Sequence, residues 1–168
     1  MALIMEGGIT DNIGQSQPPV VIDGRNVAGS AKQESNGWAW DRVTTIANYH
    51  LNNGSETVIA VIPCWEKELK KSLLELGVEV VPFQINSDSE IDDRIILGLA
   101  ANNNGYIITN DTSMPKHLDR GLIDREWFTN SNIRFQFVED KYIPNFPSSW
   151  NFECGHKSSS LMETEVRI

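Results

Sequence analysis

Sulfur ligands are scarce in this chain. Cys64 and Cys154 are its only cysteines and lie far apart, whereas a zinc module needs close Cys/His pairs and a disulfide framework needs more thiols. Cys154-Gly155-His156 is the one metal-like fragment, and it lacks a second pair. Basic charge is also short: 14 Lys and Arg stand against 23 Asp and Glu, for a net charge of −9. A protein that coats nucleic acid through bulk charge needs a basic face, so that class is excluded. A nuclease is not, because a metal-binding carboxylate cluster itself raises the acidic count. No apolar run approaches a membrane span, and Met1 to Thr10 holds no basic region followed by a sustained apolar one. The expected setting is cytoplasmic or another reducing compartment, without a membrane partner.

What the chain does have fits one modest domain. With 168 residues, 40% of them hydrophobic, it can bury a single core but not two ordinary ones. Residues 1–17 are polar and glycine-bearing, and after Pro144 the sequence turns to Pro, Ser and Asn. These features predict a flexible N-terminal segment over 1–17, a folded domain over 18–147 and a C-terminal tail over 148–168.

Within that domain, strands and helices alternate. Val20-Val21-Ile22 reads as a buried strand, residues 38–52 as a helix and Thr57 to Ile62 as a second strand. Residues 66–76 form an amphipathic helix closed by Gly77, and Val78 to Phe83 a strand that Pro82 places at an edge. A helix over 90–102, strands at Tyr106 to Thr109 and Ile133 to Val138, and one or two short helices within 113–130 complete the order. Such alternation calls for an α/β fold, a mostly parallel five-stranded sheet with helices on both faces.

Acidic islands fall where this order places strand ends or helix starts. The first is Asp23, directly after a buried strand and followed by Gly24. Asp92 and Asp93 open the helix over 90–102, with Asp92 on its inward face, Asp93 on the flank and Arg94 opposite. Ser89-Glu90-Ile91-Asp92 also fits a capping box, an alternative use for Asp92. Thr109-Asn110-Asp111-Thr112 repeats the logic of the first island, and Asp119 and Asp124 form a weaker pair. Each island alone could be a turn or a cap. In a doubly wound sheet, however, strand carboxyl ends and helix amino ends share one edge, so the islands converge there. Stacked acids favour an oxygen-ligand divalent site, because their repulsion is relieved by a cation.

Val20 to Ala28, Ile62-Pro63-Cys64-Trp65-Glu66-Lys67-Glu68, Asp92-Asp93-Arg94, Ile107 to Thr112 and Phe137 to Pro144 occur in the order found in Regnase-like endoribonucleases. Those are NYN-domain proteins of the PIN-like superfamily, and the chain resembles them over about residues 18–147. The resemblance implies a Rossmann-like PIN/NYN sheet, Mg²⁺ (or Mn²⁺) dependence and cleavage of single-stranded or loop RNA. It places the metal site on Asp23, Asp92, Asp93 and Asp111, with Asn26 beside them. Three departures stand out. A fourth acid of the pattern is Pro115 here unless Asp119 or Asp124 replaces it, and Arg25 stands where the family has serine. The segment before the paired aspartates is shorter and less basic, and the animal proteins' zinc finger is absent.

The expected chemistry is metal-assisted phosphodiester hydrolysis that leaves a 5′-phosphate and a 3′-hydroxyl, as in PIN-like enzymes. Asn26 and Asn110 are expected to orient a carboxylate or water. Arg25, Asn26, Arg94, Asn110, Thr112, Lys116 and Arg120 are the candidates for substrate contact. His117 is expected at the surface and Trp65 in the core. A homodimer or an RNA-targeting partner protein stays open. A receiver-like phosphoacceptor fits poorly, since Gly24 stands where it would need a second acid, and a catalytically weakened NYN-fold RNA-binding or scaffold protein is the alternative.

Overall fold

A computed structural model describes residues 16–33, 37–85, 89–114, 116–117 and 124–150. The expectations for Pro115, Asp119, Arg120, Cys154 and His156, and for most of the two ends, lie outside the described residues. Packing runs from Gln17, whose amide donates to the Gly54 carbonyl, to the buried Trp150. The packed region is thus wider at both ends than 18–147.

The sheet is built on runs too apolar to face water. β1 (Val20–Asp23) and β2 (Val58–Pro63) are buried at every residue, as central parallel strands must be when helices cover both faces. The sheet order is β3-β2-β1-β4-β5-β6, with β3 (Glu79–Phe83), β4 (Tyr106–Ile108), β5 (Asn132–Val138) and β6 (Lys141–Asn145). The first five strands are parallel and β6 runs antiparallel to β5. Pro82 sits on an edge strand as anticipated. The sheet has six strands, not five: Glu139 and Asp140 both adopt positive φ, 48° and 59°, in a two-residue turn that folds β6 back.

Side-chain alternation along β1 sends Val20 and Ile22 to one face and Val21 to the other. The first face packs against α1 (Gly24–Gly29), α2 (Asp41–Asn52) and α3 (Lys67–Glu75). α2 buries Val43, Ile46, Ala47 and His50, a helical stripe. Trp38, expected in its first turn, lies before it and is exposed. The second face packs against α4 (Ile91–Asn102) and α5 (Arg125–Ser131). On α4 the buried stripe is Asp92, Ile96 and Ala100, so the inward face carries a carboxylate in its first turn.

Two backbone features fix the approach to the carboxyl edge. α1 was not foreseen in the sequence; it starts directly at β1, with the Asp23 side chain accepting from the Asn26 amide as its cap. Gly24 makes this possible, because a Cβ there would lie 2.6 Å from the Val61 carbonyl oxygen. Gly77, at φ +84°, closes α3 as expected.

An aromatic cage holds the C-terminal hairpin against α2. His50 Nε2 lies 3.1 Å from the Tyr142 hydroxyl, and the His50 ring meets Tyr49, Phe146 and Trp150 edge-on. Burial pushes the His50 pKa down to about 4, so the fold holds a neutral ring.

Gly24→Ala should destabilise the protein by on the order of 1–3 kcal/mol in urea unfolding, since the backbone oxygen facing it cannot move cheaply. His50 gives a pH signature. Its folded pKa lies below the unfolded value near 6.5, so its contribution is complete above pH 6.5 and is lost as pH falls toward 4. Wild type and His50→Gln, measured in parallel, should diverge across that window by about 3 kcal/mol at most. Parallel stability curves would show that His50 is not buried neutral.

Candidate active site

Asp23 ends β1, Asp92 and Asp93 open α4, and Asp111 follows β4. All four line one cleft of about 350 Å³ at the carboxyl edge of the sheet. The edge is a topological switch: β1 connects onward to β2 on one side and pairs with β4 on the other, the arrangement that opens a crevice in doubly wound sheets. A hollow of about 420 Å³ at the opposite end, beside Gln17, Gly105 and Tyr106, is lined by no acid or base. The four aspartates therefore meet at the carboxyl edge and not at that end.

Asp23 is 3% exposed, and both its oxygens are bonded. The Asn26 amide donates to Oδ1 at 3.1 Å and the Thr109 hydroxyl to Oδ2 at 2.8 Å. Burial nonetheless raises its pKa to about 7, and the neighbouring Asp93 and Asp92 charges add to the rise. Asp93 is raised as well, first by burial and then by Asp92 and Asp111.

The asparagines act as struts. Asn26 Oδ1 accepts from the Asn110 amide at 2.8 Å. The Asn110 side chain bonds the Phe135 backbone in both directions, donating to its carbonyl at 2.7 Å and accepting from its N–H at 3.0 Å. Asn110 thus ties the end of β4 to β5. Asp111 Oδ1 accepts from the Ser113 amide and hydroxyl, both at 2.7 Å, which shapes the turn after β4.

Cations from the chain itself enter the cleft. Arg25 Nη1 pairs with Asp92 Oδ2 at 3.2 Å. Glu90 caps α4 without a side-chain bond, so no capping box forms; Asp92 faces the cleft and Arg25 instead. His117 Nε2 lies 3.2 Å from Asp93 Oδ2, and its Nδ1 faces Glu90 at 3.7 Å. With a side chain only 8% exposed, His117 is not the surface histidine that its sequence context suggests. Lys116 pairs with Glu90, which lowers the pKa of that acid.

A second hollow of about 530 Å³ adjoins the first, and Arg25 and Asn26 line both. Lys32 and Arg42 supply its positive charge. Arg42 is 6% exposed; its Nη1 donates to Ser30 Oγ at 3.0 Å, and its guanidinium lies 4.4 Å from the Phe137 ring centroid.

Of the expected substrate contacts, Arg25, Asn26 and Lys116 line the acidic cleft and Asn110 the basic hollow. Arg94 is exposed on α4 and Thr112 is exposed in the turn; neither lines the two hollows. Asp124 caps α5, accepting from the Trp127 amide at 2.6 Å, and does not line the acidic cleft. Trp65 is 52% exposed and not in the core. Reasoning from sequence missed Thr109, Lys32, Arg42 and Trp38. Thr109 could have been found, since a polar residue ending a fully apolar strand must bond something buried.

Residues 16–152 match the family described as the Zc3h12a-like Ribonuclease NYN domain. The fold is similar to two structures of Arabidopsis thaliana nuclear protein-only RNase P 2 (PRORP2), with TM-scores of 0.59 and 0.57 and 15% identity. They cover 80% and 81% of this chain and 31% of the PRORP2 chain in each case. At that identity the likeness is one of fold. A curated relative is the 5-formaminoimidazole-4-carboxamide-1-(beta)-D-ribofuranosyl 5'-monophosphate synthetase of Methanothermobacter thermautotrophicus, 25% identical over 105 residues. That match takes in 61% of this chain and 27% of the synthetase, so the chain spans only about a third or less of these relatives. With its whole described core inside the family match, the chain belongs to the Zc3h12a-like ribonuclease NYN domain family.

Proposed function

We propose that the protein is a Regnase-like, magnesium-dependent endoribonuclease that hydrolyses single-stranded or loop RNA at the acidic cleft. The observation that carries this reading is the meeting of Asp23, Asp92, Asp93 and Asp111 in one cleft of a ribonuclease-family fold. The donor set fits a hard divalent cation. It offers carboxylate oxygens and no sulfur, and burial, with the neighbouring like charges adding to it, raises the pKa values of Asp23 and Asp93, a cost that a cation relieves. Among the described residues, no three Asp, Glu, His or Cys side chains already surround one point as ligands. Asp92 and Asp93 are instead engaged by Arg25 and His117. Asp23, Asp111 and one or both of Asp92 and Asp93 would hold Mg²⁺. When bound, it supplies charge neutralisation at the scissile phosphate and activation of water.

The chain's own groups do the rest. Thr109 and the Asn26 amide fix the Asp23 carboxylate, leaving it little freedom to turn away. Arg25, at the seam of the two hollows, is placed to meet a phosphate entering from the basic side. Lys116 stands on the far rim.

One observation favours a second reading, a catalytically weakened RNA-binding or scaffold protein. Arg25 and Lys116 already balance part of the acidic charge from within, and His117 bonds Asp93. An assay with labelled single-stranded RNA in Mg²⁺ against EDTA decides between them, because only the enzyme cleaves in a metal-dependent way.

Asp23→Asn and Asp111→Asn should each lower cleavage by about a hundredfold or more, with circular dichroism unchanged. Near-normal turnover in either variant would remove that residue from the metal site. Arg25→Ser should free Asp92 and so enlarge the Mg²⁺-induced rise in melting temperature over that of wild type. Equal shifts in the two proteins would show that Arg25 does not compete with the cation.

A further inference from the structure

Trp38 stands at the rim of the acidic cleft, 44% exposed, although tryptophan is usually well buried. Its position is fixed. Trp40, itself packed on the core, stacks parallel to it with centroids 5.5 Å apart and planes 8° from parallel. The Ala39 amide between them donates to the Ala28 carbonyl at 3.0 Å, which ties this stretch to α1. Behind the ring lies Gly29, where a Cβ would come within 3.3 Å of the indole. A flat aromatic is thus held beside the site with nearly half of its surface in water.

Lys32 links this ring to the basic hollow. Its Nζ lies 3.8 Å from the Trp38 centroid, and the same residue lines the hollow with Arg25 and Arg42. A cation over an exposed ring is a weak contact on a flexible stem, weaker than base stacking. An arriving base would displace the ammonium and leave it free to pair with a phosphate.

We propose that Trp38 is the stacking platform for an unpaired nucleobase next to the phosphate that enters the acidic cleft, with the adjoining strand running through the Lys32–Arg42 hollow. This rests on the ribonuclease reading above and narrows it to RNA whose bases are not already stacked in a helix. Stacking on an indole tolerates any base, since each has a π-face. Base-paired RNA would have to unstack to reach the ring, so discrimination is by strandedness.

The test uses the full chain in EDTA, so that binding is read without cleavage, and a single-stranded RNA carrying 2-aminopurine. Trp38→Leu keeps apolar bulk for the Trp40 contact but has no π-face, and Trp38→Phe keeps one. Wild type should quench the 2-aminopurine on binding. Trp38→Leu should bind about tenfold or more weakly without quenching, Trp38→Phe should recover most of the affinity, and melting temperatures should stay close. A duplex of the same sequence should bind all three proteins equally. If Trp38→Leu binds the single strand as wild type does, while wild type still cleaves it in Mg²⁺, the platform is wrong and the nuclease stands. If wild type neither binds nor cleaves, the ribonuclease reading falls and the platform with it.

Discussion

A carboxylate at the end of a fully buried central strand is stable only if its oxygens are bonded and its charge is answered. Asp23 meets the first condition through Thr109 and Asn26, and those two partners organise the whole carboxyl edge. Thr109 reaches across from the end of β4. Asn26 passes the connection on to Asn110, which locks onto Phe135 of β5. One line of hydrogen bonds therefore joins the ends of β1, β4 and β5 beyond the paired strand residues themselves. Loss of a single member would strand a buried partner, which costs more than the bond itself contributes.

The second condition is met only in part. Burial and the charges of Asp92 and Asp93 raise Asp23, and Asp93 is raised in turn. Arg25, pairing with Asp92, reduces this repulsion without removing it, and His117 bonds Asp93. Arg25 matters most, because Asp92 sits on the inward stripe of α4 with little water to screen it. A buried ion pair is weak evidence for stability, since desolvation offsets much of its attraction, and removing one partner is the costly event. Arg25 therefore makes the cleft tolerable to the fold, and the repulsion that remains is what a cation would relieve on the proposed reading.

Much of this frame was legible in the sequence, because it rests on patterns that local chemistry enforces. Unbroken apolar runs marked β1, β2 and β4, helical spacing marked α2, α3 and α4, and phase along α4 placed Asp92 inward, Asp93 on the flank and Arg94 outside. α1 escaped notice because its six residues begin and end with glycine and are too few to show a helical period. β6 escaped because Pro144 breaks the strand pattern and Glu139-Asp140 is a poor sequence signal for a tight turn. The fates of Asn110 and His117 are set by partners distant in sequence, Phe135 and Asp93. No window of local sequence contains that information.

The charge of the chain limits how such a site can work. At a net −9 the molecule does not draw RNA by its overall field. Affinity on the proposed reading has to come from short-range terms at one seam, where Arg25 and Asn26 border both hollows and Trp38 overlooks the acidic one. Few phosphates are neutralised in such an arrangement, so salt dependence is shallow and stacking carries a larger share of binding than in a basic protein. The same economy separates the tasks. Carboxylates are kept at the strand ends, where the proposed reading puts a cation, and most of the positive charge is kept one hollow away, where on that reading it would hold a backbone. Arg25 alone crosses that line, and in pairing with Asp92 it couples the two halves of the site.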